Sequence, residues 1–387
     1  MIITEKNNCT GCTACFEVCS KKAIHMVQDK EGFLYPEIDS SKCVNCYQCR
    51  GVCPSYYYSK NSIKRVIALK YKNEEVRKRS TSGGAFFAIA ECIIKKGGWI
   101  YGAVFDEAMH VIHMGSNKLD DLIKFQGSKY TQSCLKDTFN DVLIKLKKSD
   151  YVLFTGTPCQ CAGLKNFLNA KNVDTKKLFI CDIICHGVPS PMLWDNHMKT
   201  LKEKHGDIKK YQCRSKVNGW HNHIELCEWN SGEIEYGTRF IQKQKGVFYS
   251  NLALRPSCAY CQYASIERCS DLTIADFWGI EKSHPEFDDN NGVSLVLINT
   301  NKAENLIKEI DNCITTKDAS LDDCINRQPN LQNPTPVNQK KRVVFWNDFF
   351  RFGYIYVCKK YTDYGIKNYF IKQLNRVKGK LIKTIKR

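Results

Sequence analysis

The stretches CTGCTACFEVCS (residues 9–20) and CVNCYQCRGVCP (residues 43–54) carry eight cysteines in two copies of one spacing. They read Cys9-x2-Cys12-x2-Cys15-x3-Cys19 and Cys43-x2-Cys46-x2-Cys49-x3-Cys53-Pro54. Three thiols at successive x2 intervals wrap a loop around one small body, and its fourth ligand comes from elsewhere in the chain. Zinc also uses Cys-x2-Cys pairs, but a tetrahedral site has no use for a third thiol at the same interval, repeated twice. The pattern therefore predicts two [4Fe-4S] clusters.

In the two-cluster ferredoxin arrangement the last cysteine of each run serves the other cluster. That assigns Cys9, Cys12, Cys15 and Cys53 to one cluster and Cys19, Cys43, Cys46 and Cys49 to the other. Ser20 stands where a proline often follows the fourth cysteine, which loosens a turn without removing a ligand. Residues 1–57 are read as a ferredoxin-like domain, with GFLYPEID as a short hairpin strand bearing Phe33 and Tyr35 over the clusters.

The bulk composition agrees with a metal-directed use of thiols. The 387 residues are 43% hydrophobic, enough for a buried core, and hold 22 cysteines. The first eight are clustered, not spread as a secreted disulfide framework spreads them. The N-terminus lacks the charged and apolar regions of a secretory signal, and no run of about 18 apolar residues occurs. A reduced, cytoplasmic setting is expected. The formal charge is +18, yet the stretch from Lys340 to Arg387 alone holds fourteen basic residues against only two acids, Asp348 and Asp363. A charge so concentrated in the tail argues against a nucleic-acid module.

From residue 66 onward apolar runs alternate with helical stretches. VIALKY (66–71), GWIYGAVF (98–105), YVLFTG (151–156) and LFICDII (178–184) predict strands of a substantially parallel α/β sheet. Two loops at strand ends suit either a phosphate or only a turn and helix cap: STSGGAFF, with Ser82, Gly83 and Gly84 at a helix start, and FTGTPCQ, with Thr157. Neither matches a nucleoside-triphosphate or dinucleotide fingerprint. Cys258-x2-Cys261 is half of a metal site that cysteines at strand ends could complete from afar, and Cys159, Cys185 and Cys269 all stand in this region. Cys92, Cys134, Cys161, Cys181, Cys213, Cys227, Cys313, Cys324 and Cys358 are read as small apolar fillers.

Taken together, STSGGAFFAIAECI, FQGSKYTQS, LFTGTPCQCAGLK, ICHGVPSPMLW, CRSKVNGW and CAYCQYASIERCSDLTIADFWGI resemble the coenzyme F420 hydrogenase/dehydrogenase beta-subunit family, over about residues 1 to 300. The resemblance implies a mixed α/β fold: a two-cluster ferredoxin domain (1–57), a flavin and iron–sulfur domain (66–300) and a C-terminal extension (301–387). It implies FAD beside Ser82, Gly83, Gly84, Ser128, Lys129 and Thr157. It also implies a third [4Fe-4S] cluster on Cys159, Cys185, Cys258 and Cys261, with Cys269 as an alternative to Cys159. Lys129, His186 and Asp276 are the catalytic candidates, and His221 is a further proton donor to weigh; each has an ordinary structural role as its rival.

Flavin exchanges hydride and releases electrons singly, so it belongs between a two-electron substrate and one-electron clusters. The expected activity is an FAD- and [4Fe-4S]-dependent oxidoreductase acting on an unidentified small molecule. Its redox partner would be a ferredoxin, a deazaflavin or a hydrogenase/dehydrogenase subunit. The alternatives are a non-catalytic electron-transfer subunit and a membrane-surface redox protein of polysaccharide biosynthesis. Beyond NPTPVNQKKR, the residues Ile366, Phe370, Leu374, Val377, Leu381 and Ile385 predict a basic amphipathic helix. Such a helix suits either anionic lipid on the inner face of the membrane or the protein's own body.

Overall fold

A computed structural model describes residues 5–363. The helix expected at 366–385 lies outside the described residues.

The N-terminal hairpin pairs β1 (Ile24–Gln28) with β2 (Leu34–Ile38), antiparallel, between two short helices, Ala14–Val18 and Gln48–Gly51. Each helix opens from a left-handed residue, Thr13 and Tyr47, as chain curling tightly around a thiol set requires. Among the described residues this segment forms no separate core cluster. Cys12, Ala14, Val18 and Val52 are buried in one cluster with Phe139, Phe154, Leu164 and Phe167 of the following region.

The remainder is built on one eight-stranded sheet and one smaller sheet. In chain order the strands are β3 (Arg65–Tyr71), β4 (Trp99–Phe105), β5 (Val111–Ser116), β6 (Val152–Gly156), β7 (Leu178–Ile183), β8 (Ile208–Ser215), β9 (Ile224–Trp229), β10 (Ile234–Tyr236), β11 (Leu272–Asp276), β12 (Ser294–Ile298) and β13 (Ile314–Ala319). The large sheet runs β13-β3-β12-β11-β7-β6-β4-β5, and the small one, β10-β9-β8, is antiparallel. The four predicted strands are present. The large sheet is parallel only across β11-β7-β6-β4, and antiparallel strands flank both sides. Its central runs are buried on both faces: β12 is buried at every residue and β7 at all but Ile183.

The helix Pro158–Ala170 follows β6 directly. Thr157 and Gln160 form a capping box, and Pro158 takes the first turn, where its missing N–H costs nothing. Gly163 lets this helix touch the ferredoxin segment, since a Cβ there would fall 2.9 Å from Cys12 Sγ. The helix Gln339–Tyr361, kinked at Gly353, returns to the hairpin. Its Arg342 is buried in an ion pair with Glu31 and also donates to Leu254 O. Among the described residues no helix is long and apolar enough to cross a membrane.

Candidate metal centre

Local curling places the first thiols. Gly11, at φ +70°, turns the chain between Cys9 and Cys12, and Cys9, Cys12, Cys15 and Cys53 together line a cavity of about 350 Å³, mouth included. The fourth thiol of this group comes from the second cysteine run. Cys19, Cys43, Cys46 and Cys49 lie outside that cavity. Of these Cys46 is exposed, the other three are partly covered, and Cys19 Sγ accepts from Ala23 N at 3.3 Å.

A larger cavity, about 770 Å³ with its mouth, is lined by Cys159, Cys185, Cys258 and Cys261. Cys159 stands in the first turn of Pro158–Ala170, Cys185 just past β7, and the other two on the 3-10 turn Pro256–Tyr260 and its end. Thr157 and His186 line the same space, and Thr10 and Ser55 line both cavities, so the two sites are neighbours. Cys269 is elsewhere: it is buried with Sγ donating to Pro158 O at 3.3 Å. Among the described residues no three His, Cys, Asp or Glu side chains stand close enough to hold a single metal ion. The thiols line the two cavities instead.

Burial sets the electrostatics. It pushes the Cys258 thiol up to about 12 and Cys261 to about 11, with neighbouring thiols adding to the rise. Cys12 and Cys185 are raised as well, again by burial first. Thiols held this firmly neutral are poor nucleophiles, and a cationic body among them is what would favour their thiolate forms.

The backbone around these thiols is tied down by two buried arginines that sequence reasoning passes over. Arg268 is 2% exposed and pairs with the fully buried Asp182 at 3.1 Å. It donates to Tyr263 O and Ser265 O, both at 3.1 Å, and to Ile183 O at 3.0 Å, fastening the loop after Cys261 to the end of β7. Arg255 is 1% exposed, lines the larger cavity and reaches Cys9. A basic residue three positions before a Cys-x2-Cys pair is the available signal.

The remaining predicted residues divide. Lys129 Nζ donates to the carbonyls of Lys124, Phe125, Gln126 and Gly127 at 3.0–3.2 Å, and burial brings its ammonium down to about 7. Ser82 Oγ donates to Val293 O at 2.7 Å, and Ser128 N donates to Thr81 Oγ1 at 2.9 Å. Gly83 is demanded by strand packing, because a Cβ would fall 2.2 Å from Leu69 O; Gly84, at φ +93°, caps the helix Ala85–Lys95. Among the described residues no acceptor is bonded to the backbone N–H groups of Thr81 to Gly84. Lys216, also unforeseen, donates to Ser82 O at 2.6 Å, Arg77 O at 2.8 Å and Asn291 O at 2.6 Å, and burial lowers it to about 7.

Asp276 is paired with Arg214 and accepts from Trp220 Nε1 at 2.8 Å. His186 is bonded through Nε2 to Asn251 Oδ1 at 2.8 Å, and burial lowers its pKa. His221 bonds Asp288 at 2.8 Å. The segment Ser128 to Gln132 bridges the STSGG loop and the thiol cavity. Its near end meets Thr81, while Gln132 donates through its backbone to Pro189 O and through its side chain to Thr10 O. Between them the Tyr130 ring stacks on Phe248 at 4.4 Å, and Phe248 packs on His186 at 4.8 Å. Lys129 and Asp276 are not brought into the cysteine-lined cavity; Thr157 and His186 are.

Comparison with known proteins adds four matches. Residues 149–321 match the C-terminal family of the coenzyme F420 hydrogenase/dehydrogenase beta subunit, and residues 8–56 match the 4Fe-4S dicluster domain. An uncharacterised ferredoxin of Methanocaldococcus jannaschii is 34% identical over 79 residues, which are 20% of this chain and 95% of that protein. A chain of the F420-reducing [NiFe] hydrogenase complex from Methanosarcina barkeri superposes with a TM-score of 0.48 at 17% identity, over 73% of this chain and 91% of that one.

Proposed function

Given that this chain belongs to the coenzyme F420 hydrogenase/dehydrogenase beta-subunit family and carries a ferredoxin-type 4Fe-4S dicluster domain at its N-terminal end, we propose that it is an iron–sulfur flavoprotein oxidoreductase. Its working parts would be the ferredoxin-like residues 1–57, the α/β residues 66–300 and the extension 301–387. Electrons would enter at the more exposed set Cys19, Cys43, Cys46 and Cys49, cross Cys9, Cys12, Cys15 and Cys53, and reach Cys159, Cys185, Cys258 and Cys261. The observation that carries this reading is the cavity in which those last four thiols meet, beside the loop bearing Cys9. One-electron carriers in sequence need a two-electron terminus, and FAD would supply hydride chemistry there.

The residues present fit FAD in two respects. The N–H groups of Thr81 to Gly84, flanked by Lys216, suit its pyrophosphate. Ser128 is bonded to that loop, Tyr130 stacks on Phe248 beside His186, and Thr157 and His186 line the cavity, which links the two places through contacts of neighbouring side chains. Lys129 would hold the Ser128 turn by its four carbonyls, and Asp276 would hold Arg214 in place, so both act by positioning. His186, facing the cavity and kept neutral by burial, is the candidate to pass a proton.

A second reading, an electron-transfer subunit without a substrate of its own, is favoured by that same engagement of Lys129 and Asp276. A partner hydrogenase or dehydrogenase subunit would then take the place of the small molecule, and a ferredoxin or deazaflavin would remain the other redox partner. Anaerobic iron, acid-labile sulfide and flavin analysis with EPR of the reduced protein tests both readings. Three clusters with FAD support the oxidoreductase, and three clusters with no flavin after reconstitution support the subunit. Stoichiometric zinc without acid-labile sulfide ends both.

A further inference from the structure

Arg255 occupies a singular place between the two inner thiol sets. Its Nε donates to Cys9 O at 2.8 Å, Nη2 lies 3.6 Å from Cys9 Sγ and donates to Leu34 O at 2.9 Å, and Nη1 donates to Gln132 Oε1 at 3.0 Å. The same side chain lines the cavity of Cys159, Cys185, Cys258 and Cys261. Its guanidinium carbon lies 4.2 Å from the Tyr35 ring centroid and 5.4 Å from that of Phe33, so the aromatic pair expected over the clusters is the guanidinium's seat. Gly11 is needed beside it, because a Cβ there would stand 2.8 Å from Nη1.

A guanidinium taken out of water at 1% exposure is costly unless charge of the other sign is near. Among the described residues no carboxylate bonds Arg255. The nearby acids are committed: Glu31 to Arg342 and Asp29 to Lys6. Its hydrogen-bond partners are three neutral oxygens and one thiol. What remains to balance it is negative charge on the cysteine-held groups to either side, which a guanidinium can serve with its several fixed donors.

We propose that Arg255 is the electrostatic bridge between the two inner sites, raising the reduction potential of both relative to the outer one and so directing electrons inward. This rests on the cluster assignment above. Each step moves one electron and no atom: the outer site, reduced by an external one-electron donor, is oxidised as an inner site is reduced. The inner site's net charge becomes more negative by one, and Arg255 favours that added charge through Coulomb attraction in a poorly screened interior. The outer set, Cys19, Cys43, Cys46 and Cys49, lacks this contact.

The test is an EPR-monitored redox titration of the full chain, dithionite-reduced, with iron and sulfide quantified on the same samples. In Arg255→Gln, cluster content is retained and the midpoints of two of the three clusters fall. The reduced-to-oxidised ratio at fixed potential drops by about tenfold for each, equivalent to about 59 mV for a one-electron couple. In Arg255→Lys the charge survives and the fall is smaller. Should Arg255→Gln fail to load iron, Gln132→Glu decides, since it sets a carboxylate against the guanidinium without removing it; the same two midpoints then fall. Unchanged midpoints in a loaded variant, or an equal fall in all three, overturn the proposal while leaving the cluster assignment intact. Wild-type protein free of acid-labile sulfide overturns both.

Discussion

Two equally spaced cysteine runs supply two sets of four thiols, each set drawn from both runs, and the sets finish in different surroundings. The outer set, with Cys46 open to solvent, sits among exposed Val44 and Tyr47. The inner set, with Cys12 buried, is packed against the helix Pro158–Ala170 and next to a second thiol-lined cavity. The same ligand spacing thus experiences water at one end and a protein interior with a buried guanidinium at the other. Spacing decides what can be bound, whereas surroundings decide how readily it is reduced, reached or lost.

The largest expected effect is kinetic. Under an anaerobic iron chelator, roughly a third of the iron should leave in a fast phase from the outer site if three four-iron clusters are present. A single phase would erase the contrast. Breaking the inner scaffold comes next: Arg268→Met leaves Asp182 without its cation at 0% exposure and should lower unfolding stability by about 3–5 kcal/mol in denaturant titrations. Its outer counterpart, Lys42→Ala at the exposed Lys42–Asp39 pair, should be indistinguishable from wild type.

Gly163→Ala forces a methyl group toward Cys12 Sγ and should cost about 1–3 kcal/mol; if clusters are held as proposed, EPR of the reduced protein should show the inner signals broadened and the outer one unchanged. The pH response sharpens the comparison at Glu225, which lines neither thiol cavity. Burial raises the carboxyl of Glu225 to about 8, so the folded state holds a proton that the unfolded chain releases near 4.5. Its contribution is therefore complete below that lower value and is lost as pH rises toward about 8, at up to about 1.4 kcal/mol per pH unit. Glu225→Gln should flatten that decline in melting temperature between pH 5 and 8.

Much of the fold is legible in sequence where its parts are local. Thiols two residues apart, and the apolar runs of β3, β4, β6 and β7, declare themselves over a few residues. The antiparallel flanks do not, since pairing direction depends on connections made tens of residues away. The STSGG loop reads as a glycine-rich turn, yet Gly83 answers to a close approach of Leu69 O and Ser294 N, which only the folded sheet creates. Lys129 reads as a cofactor cation and is bonded to four carbonyls.

By itself the sequence determined the ligand type and spacing of the first eight thiols, because x2 and x3 intervals constrain the chain within single turns. The tertiary structure alone decided that Cys159, Cys185, Cys258 and Cys261 face one cavity while Cys269 does not, and that Arg255 stands between that cavity and Cys9. Those residues are up to about 250 positions apart, and their proximity comes from the packing of β6, β7 and β11 and of the helix that follows β6. Burial, and with it the strength of every charge near the thiols, exists only once that packing is complete.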